Sequence, residues 1–345
     1  MLGPVAVVVV VVVVVMPDTL RERCLDVKPH ATLVSSILFR YHRRMPDSAG
    51  ERVTAGDLLT LDELTLFRRT SGLRGAWLIA HAWATIVAAA ALYVAWPSAL
   101  TLGVAVVVVG ARQLGLMALM HETAHWLLFP GPRLNTWVGT WLCAAPLGAD
   151  LRGYRRRHHL HHRHTQQPED PDLSLSARFP ISRGRLALTL LGDLCGYTTL
   201  TRIAAWRPPD HLADAWRRAR APLAANAVLF AICAAVGGWW LYLLVWVLPW
   251  ATWYQLATRI RDISEHGMVA DTVDPFRHAR STAAGWLARA ALAPYWVNYH
   301  LEHHLMVFVP CWKLPGLHAL LLARSLGGRM ERAASYAEVL ARAGS

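Results

Sequence analysis

The chain has 345 residues, of which 54% are hydrophobic and 17% are charged, with a mean hydropathy of +0.29. This balance is unusual for a soluble domain and favours an integral membrane protein. The net charge of +12 does not indicate nucleic-acid binding, because the basic residues flank apolar segments, as they do at the cytoplasmic ends of membrane spans.

The first 44 residues differ from the rest of the chain. Val7 to Val15 is an unbroken valine run, too short to span a bilayer and not preceded by the basic segment of a signal peptide. Met45 is followed by a polar stretch that resembles an ordinary bacterial N-terminus. We therefore predict that residues 1–44 are a disordered or mis-annotated extension and that residues 45–345 form a single membrane domain.

Four apolar segments are predicted to cross the membrane, since about 20 helical residues match a core of about 30 Å. The turns at Pro97 and Gly237 carry no charge, whereas arginines cluster at the other ends. By the positive-inside rule, both termini and the long central loop are cytoplasmic. Residues 127–147 and 186–206 are expected to be interfacial or re-entrant helices. The predicted class is an all-α integral membrane protein with a cytoplasmic helical cap and two hairpins, whose spans are about 76–96, 98–120, 221–236 and 239–257.

Histidines dominate the polar chemistry, because most of the 17 fall into four groups. Residues i and i+3 or i+4 share a helix face, so each HxxHH triplet is expected to aim three imidazoles at one point. Although they are up to 183 positions apart (121 to 304), all four groups are predicted to lie on one side of the membrane. The patterned histidines are His121, His125, His158, His161, His162, His266, His300, His303 and His304.

The pattern predicts a metal centre with more than one ion. Imidazole binds iron, zinc and copper, so spacing alone does not name the metal. Nine ligands exceed what one tetrahedral zinc uses, so two metals are expected to share them. His159 and His164 lie on the wrong spacing, which favours supporting or surface roles. We interpret the isolated histidines as polar interface residues: His30, His42, His81, His211, His278 and His318.

The motifs HETAH, HHLHHRHT and NYHLEHH resemble the histidine boxes of membrane fatty-acid desaturases, within the wider desaturase–hydroxylase superfamily. The resemblance runs from about Leu61 to Tyr336. It implies two non-haem iron ions (Fe2+/Fe3+) held by the nine histidines above, with O2 as co-substrate. The implied activity introduces a double bond into a fatty-acyl chain supplied as a lipid or acyl thioester.

The resemblance also indicates supporting residues. In related enzymes an Asn four residues before the lone histidine can hold a metal-bound water, and here that position is Asp262. Carboxylates near the boxes are expected to orient the ligands by hydrogen bonding. The candidates for such support are Asp262, Glu122, Glu265, Glu302 and His164.

The sequence contains no haem-binding or iron–sulfur cysteine pattern, so electrons are expected from an external donor such as ferredoxin or a similar small acidic redox protein. A carotenoid or terpenoid hydroxylase or ketolase, or an alkane hydroxylase, is the main alternative. A membrane zinc protease is a remote one, since HETAH also satisfies HExxH, and metal transport is weaker still. The expected location is the bacterial inner membrane, with a cytoplasmic active site.

Overall fold

The computed structural model describes residues 53–205 and 211–345, and this part of the chain is mostly helical. The predictions about residues 1–44 and the start at Met45 lie outside the described residues. The helices and strands in chain order are α1 (Ala55–Leu58), α2 (Leu61–Arg68), α3 (Gly72–Ala95), α4 (Ala99–Ala124), α5 (Pro132–Val138), α6 (Leu151–His164), α7 (Leu173–Ser176), α8 (Arg183–Leu194), α9 (Tyr197–Ala205), α10 (Leu212–Gly237), α11 (Trp239–Tyr242), α12 (Leu248–Ala251), α13 (Trp253–His266), β1 (Ser281–Thr282), α14 (Trp286–Ala291), α15 (His300–Leu305), α16 (Leu314–Ala323), β2 (Arg332–Ala333) and α17 (Tyr336–Ala343).

Three helices within the described ranges, α3, α4 and α10, are long and apolar enough to cross a membrane. They correspond to the first three predicted spans and support a membrane protein. α4 continues four residues past the predicted end at Met120, so His121 and Glu122 belong to the helix itself. α10 begins at Leu212, nine residues before its predicted start, and contains Pro222.

The predicted fourth span, residues 239–257, is not one continuous α-helix. It consists of α11, a π-helix over Leu243–Val247, α12 and the start of α13. Pro249 lacks an N–H group, and Thr252 leaves helical geometry at φ −121° and ψ −87°. These local breaks divide the segment into short pieces, and its passage across a membrane stays a prediction.

The two stretches predicted to be interfacial or re-entrant are also interrupted helices. Residues 132–147 pass from α5 into a π-helix and then a 3-10 turn. Residues 183–205 form α8 and α9, which are separated at Gly196, where φ is +79°. The steric penalty of a left-handed backbone conformation is lowest for glycine, because glycine has no Cβ.

α4 is the central helix of the fold. Its residues from Val109 to Ala124 are all buried, and α13 packs closely against it. A Cβ added at Gly110 would lie 2.7 Å from Cβ of Trp253, so the glycine allows the two helices to approach each other. This packing places the C-terminal ends of α4 and α13 side by side.

A two-stranded parallel pair organises the C-terminal part. Ser281 pairs with Arg332 and Thr282 pairs with Ala333. Ser281 also forms an antiparallel bridge to Tyr299, the residue before α15. This small sheet therefore fixes the start of α15, the helix that contains the HLEHH motif.

Candidate metal centre

The first histidine pair lies at the end of α4, where α6 docks. His121 is in the last turn of α4 and His125 is its C-cap. The last carbonyls of a helix lack partners within it. Here the Arg155 guanidinium of α6 donates hydrogen bonds to the carbonyls of Ala124 (3.1 Å) and Thr123 (2.9 Å). Arg155, three residues before the second histidine box, thus joins that box to the end of the first one.

α6, α13 and α15 supply the other patterned histidines. Asp150 caps α6, since its carboxylate accepts hydrogen bonds from the backbone N–H groups of Arg152 and Gly153. His266 is the last residue of α13, and His300 is the first residue of α15. The histidine-bearing segments therefore meet at helix ends, which brings residues distant in sequence together.

The nine patterned histidines lie in two adjoining groups. Within each group, one nitrogen from each ring lies within 4.8 Å of the others. The rings of His162 and His304, which belong to different groups, are 4.3 Å apart between centroids. The first group is His121, His125, His158, His162 and His303, and the second is His161, His266, His300 and His304.

The expectation that each HxxHH triplet converges on one point is wrong. His158 and His162 belong to the group of five, but His161 belongs to the group of four. In the third box, His300 and His304 stay together while His303 joins the group of five. Successive residues are about 100° apart around a helix, so positions i+3 and i+4 point to different sides of position i. Each triplet therefore serves both groups.

The group of four presents nitrogen lone pairs to a common centre. Nδ1 of His161 donates to Asp170 (2.9 Å), and Nδ1 of His266 donates to the carbonyl of His278 (3.1 Å). In the neutral form each ring has one N–H, so donation through Nδ1 leaves a lone pair on each Nε2 atom. They nevertheless face each other at 3.1 Å. Two facing lone pairs repel unless a cation lies between them, so these residues fit a metal ion.

His304 and His300 are also held at Nδ1 and face the common centre through Nε2. The Thr165 hydroxyl donates to the carbonyl of His161 (2.9 Å), so it accepts from Nδ1 of His304 at 3.3 Å. Nδ1 of His300 lies 3.3 Å from Oε1 of Glu265. The Nε2 atoms of His300 and His304 are 3.0 Å apart. All four rings are therefore anchored through Nδ1 and directed inward through Nε2.

The group of five has ligand spacing as well. The Nε2 atom of His158 lies 2.8 Å from that of His125 and 2.9 Å from that of His162. The corresponding distance from His303 to His162 is 3.0 Å. Ligands about 2.1 Å from one metal are about 3.0–3.4 Å apart in tetrahedral or octahedral geometry. Nε2 of His121 is buried without a hydrogen-bond partner among the described residues, as expected of a metal-facing atom.

The electrostatic environment keeps these rings in the form that binds metal. Burial lowers the pKa of His125 to about 3, with smaller contributions from neighbouring cationic groups. A neutral imidazole is the ligand form, because protonation occupies the lone pair. Burial likewise places the pKa well below the ordinary value for His158, His162, His266, His300, His303 and His304.

The predicted supporting carboxylates have different surroundings. Glu265 contacts His300, as above, and accepts from Arg261 at 2.6 Å. Oε1 of Glu122 is 3.6 Å from Nδ1 of His121, and its other oxygen accepts from the backbone N–H of Cys311. Glu302 instead contacts Ser281 and His318. It therefore joins α15 to β1 and α16 rather than contacting a patterned ring.

Two further candidates are not among the clustered ligand atoms. Asp262 is in neither group. It lies on α13, where its carboxylate is attracted by Arg261 and repelled by Asp172. The His164 ring is also in neither group. The ring is half-buried, and the His164 carbonyl accepts a hydrogen bond from the backbone N–H of Gln167 at 2.7 Å. A water-mediated role for Asp262 and a supporting role for His164 stay predictions.

Asp170 is the main residue that the histidine pattern does not identify as a partner. It lies in the acidic QPEDPDL stretch after the second box, and both its oxygens are within 3.0 Å of Nδ1 of His161. Burial alone would raise the pKa of Asp170, but hydrogen bonds from His161 and two backbone N–H groups hold it below the ordinary value. The sequence signal that could have identified Asp170 is an acidic residue nine positions after His161.

Known proteins resemble this chain in sequence. The model for the fatty acid desaturase family matches residues 97–332. The chain is 29% identical over 269 residues to dihydrorhizobitoxine desaturase of Bradyrhizobium elkanii, covering 71% of this chain and 74% of that protein. It is 25% identical over 230 residues to beta-carotene ketolase of Paracoccus sp. (strain PC1), covering 62% and 76%. A beta-carotene ketolase of another Paracoccus strain is 24% identical over 257 residues, covering 71% and 89%.

Proposed function

Because the chain belongs to the fatty acid desaturase family, we propose that this oxidoreductase binds two non-haem iron ions and uses O2 to introduce a double bond into a fatty-acyl chain. The observation that carries the proposal is the pair of adjoining histidine groups, five and four rings, in which eight of the nine rings have Nε2 atoms facing one another. Imidazole-rich sites suit iron, and a five-histidine group exceeds the ligand number of a tetrahedral zinc site.

The residues of this chain have separable tasks in that reaction. Iron bound here would supply the activation of O2 that oxidation of an unactivated C–H bond requires. The nine imidazoles hold the ions, and Asp170 and Glu265 fix the orientation of His161 and His300 through Nδ1. The buried C-terminal half of α4 limits access of water to the first box.

Ketolation or hydroxylation of a carotenoid or terpenoid is the second candidate. The similarity to two beta-carotene ketolases favours it, and each match covers most of the length of the ketolase. Acyl and isoprenoid chains are both long and apolar, so both suit access through a membrane. The two candidates differ in product: a desaturated acyl chain or an oxygenated isoprenoid.

Expression in a host that makes both fatty acids and carotenoids tests the proposal. Lipid and pigment profiling should detect a new unsaturated acyl species that disappears in His161→Ala and persists in His211→Ala. His211 is an exposed histidine outside both groups, so it is a matched control. New oxygenated isoprenoids without new acyl species would favour the second candidate instead.

Metal analysis of the purified protein separates iron from zinc chemistry. Two iron ions per chain are expected, and both should be lost on chelation. A membrane zinc protease would hold one zinc, with Glu122 as the base next to it. Against that alternative, Oε2 of Glu122 accepts from Cys311 and seven further histidines converge near HETAH. One zinc and no iron in active protein would refute the di-iron proposal.

The proposed membrane arrangement has four spans in two hairpins, with the histidine sites and both termini on the cytoplasmic side of a bacterial inner membrane. The arginine distribution supports it, as do the exposed leucines Leu188, Leu191 and Leu200, which suit an interfacial position for α8 and α9. Single-cysteine variants test it: a membrane-impermeant maleimide should label Trp96→Cys, but not the exposed Cys195, in intact spheroplasts. Labelling of Cys195 from outside would contradict this orientation.

The electron donor is proposed to be a small acidic redox protein of the ferredoxin type. Arg152 and Arg156 are exposed on α6, the helix that also holds three clustered histidines. A donor bound there would be close to both groups, and opposite charges would accelerate its approach. Reduction by ferredoxin should slow steeply as salt increases, and more so in wild type than in Arg152→Ala/Arg156→Ala. Salt-independent reduction would contradict this docking.

A further inference from the structure

A small cavity adjoins the clustered histidines. Its volume is about 20 Å³, and its wall includes His121, His300 and His303 together with Ala118, Tyr295 and Trp296. A water molecule needs about 10–15 Å³ measured in this way. The cavity therefore has room for about one water and none for a carbon chain. A substrate reaches this side of the centre only if part of the wall moves.

The histidine side of the wall is fixed, whereas Tyr295 and Trp296 lie in a short irregular segment. They belong to a three-residue 3-10 helix, Pro294–Trp296. Their φ angles are +53° and +60°, in the left-handed region that bulky residues rarely adopt. A backbone conformation of this kind costs free energy at each residue, so leaving it releases part of that energy. These two aromatic residues are therefore the part of the wall suited to move.

Tyr295 extends from the cavity to the exposed face of α3. Its hydroxyl forms a 3.0 Å hydrogen bond with Nδ1 of His81, an exposed residue of α3. Its ring lies against Gly115 of α4, where an added Cβ would be only 2.7 Å from Cε2. The ring thus lies between two candidate membrane spans and separates the cavity from their outer surface.

Arg112, a cation within the candidate span α4, also lies beside the ring of Tyr295. The Arg112 guanidinium carbon is 5.5 Å from the centroid of Tyr295, and its Nη2 donates to the carbonyl of Ala290 at 2.7 Å. Arg112 is 7% exposed. Ionisable residues inside apolar spans are costly and commonly mark substrate paths. His81, Arg112 and Tyr295 together form such a polar cluster next to the metal centre.

We propose that Tyr295 determines substrate specificity by closing the path from the bilayer to the metal centre between α3 and α4. The apolar chain of the substrate enters when the ring leaves His81, and the position of the ring then selects the carbon that faces the histidine groups. This inference rests on the proposed function, because it assumes that a long apolar chain is the substrate.

Photolabelling tests the path without relying on turnover. Iron-loaded protein in nanodiscs, kept without O2 and electron donor so that no turnover occurs, is incubated with palmitic acid carrying a mid-chain diazirine, irradiated, and mapped by peptide mass spectrometry. Tyr295→Phe keeps the ring and loses the hydroxyl that contacts His81 and Arg112. Labelling of residues 285–299 should therefore rise by at least the factor of about 2 to 12 that one hydrogen bond represents. Tyr242→Phe is the control, since it removes a 2.8 Å bond to Asn226 elsewhere in the spans.

Product analysis of the iron-loaded protein gives the second readout. Tyr295→Ala should shift the position of the double bond or oxygen function along the chain while iron content stays at the wild-type value. Unchanged labelling and unchanged regiochemistry in both Tyr295 variants, with active wild type, would overturn the inference alone. Wild type that makes no O2-dependent product would refute the proposed function, and increased labelling in Tyr295→Phe would still support the path.

Discussion

Nδ1 of His161 lies 2.9 Å from one oxygen of Asp170 and 3.0 Å from the other, while Nε2 of the same ring faces His266. The carboxylate therefore selects the tautomer and fixes the ring plane. A partner of this kind typically contributes 10- to 100-fold in metal affinity. We expect Asp170→Asn to weaken iron binding by about that factor, measured by competition with a chelator. Glu169→Gln changes an exposed neighbouring acid and should leave the affinity unchanged; an equal loss there would rule out a specific role for Asp170.

Arg261 and Glu265 form a buried ion pair next to His300, with Nε and Oε1 2.6 Å apart. Removing Arg261 leaves Glu265 buried without its partner. Burial raises the pKa of this carboxyl to about 8 even beside Arg261, so the full cost of an uncompensated charge, about 3–5 kcal/mol, applies above that pH. Arg261→Met should therefore lower the thermal unfolding midpoint in detergent, and Arg261→Met/Glu265→Gln should recover part of the loss. The matched control is Arg217→Ala, which breaks an exposed pair with Asp214. No recovery in the double variant would contradict the ion-pair explanation.

Two glycines of α4 provide a test of helix packing. Ala at Gly110 would place its Cβ 2.7 Å from Trp253, whereas nothing lies within 4 Å of a Cβ at Gly103. Overpacking costs about 1–3 kcal/mol, and Ala is better than Gly in a helix by about 1 kcal/mol. Gly110→Ala should thus destabilise the protein and Gly103→Ala should not, as measured by chemical unfolding. Equal effects would show that α4 and α13 do not pack this closely.

Glu302 lies within the third histidine box, yet its contacts are with Ser281 and His318. We expect Glu302→Gln to lower stability by about 1–3 kcal/mol, because it weakens charge-assisted hydrogen bonds in a buried place. Iron content should remain at the wild-type value, whereas Glu265→Gln, which alters the partner of His300, should reduce it. Metal analysis and unfolding on the same preparations separate the two effects. Loss of iron in Glu302→Gln would restore the sequence-based expectation that this acid supports the ligands.

The sequence alone identified the nine histidines that the structure clusters, and three of the four apolar segments are long continuous helices. Both results depend on local chemistry. The spacing of His158 and His162 places them on one helix face whatever surrounds the helix. Likewise, a run of about 20 apolar residues is long enough to span a bilayer before any tertiary contact forms.

Tertiary structure decided how the histidines divide and what holds them. His161 and His162 are neighbours in sequence, but His161 lies with His266 of α13 and His162 lies with the histidines of α4. The partners at Nδ1 come from Asp170 and from the backbone carbonyl of His278. Helical periodicity fixes the directions in which side chains leave one helix. Only packing between helices fixes what those side chains meet, and that is why the two-group centre could not be predicted from spacing.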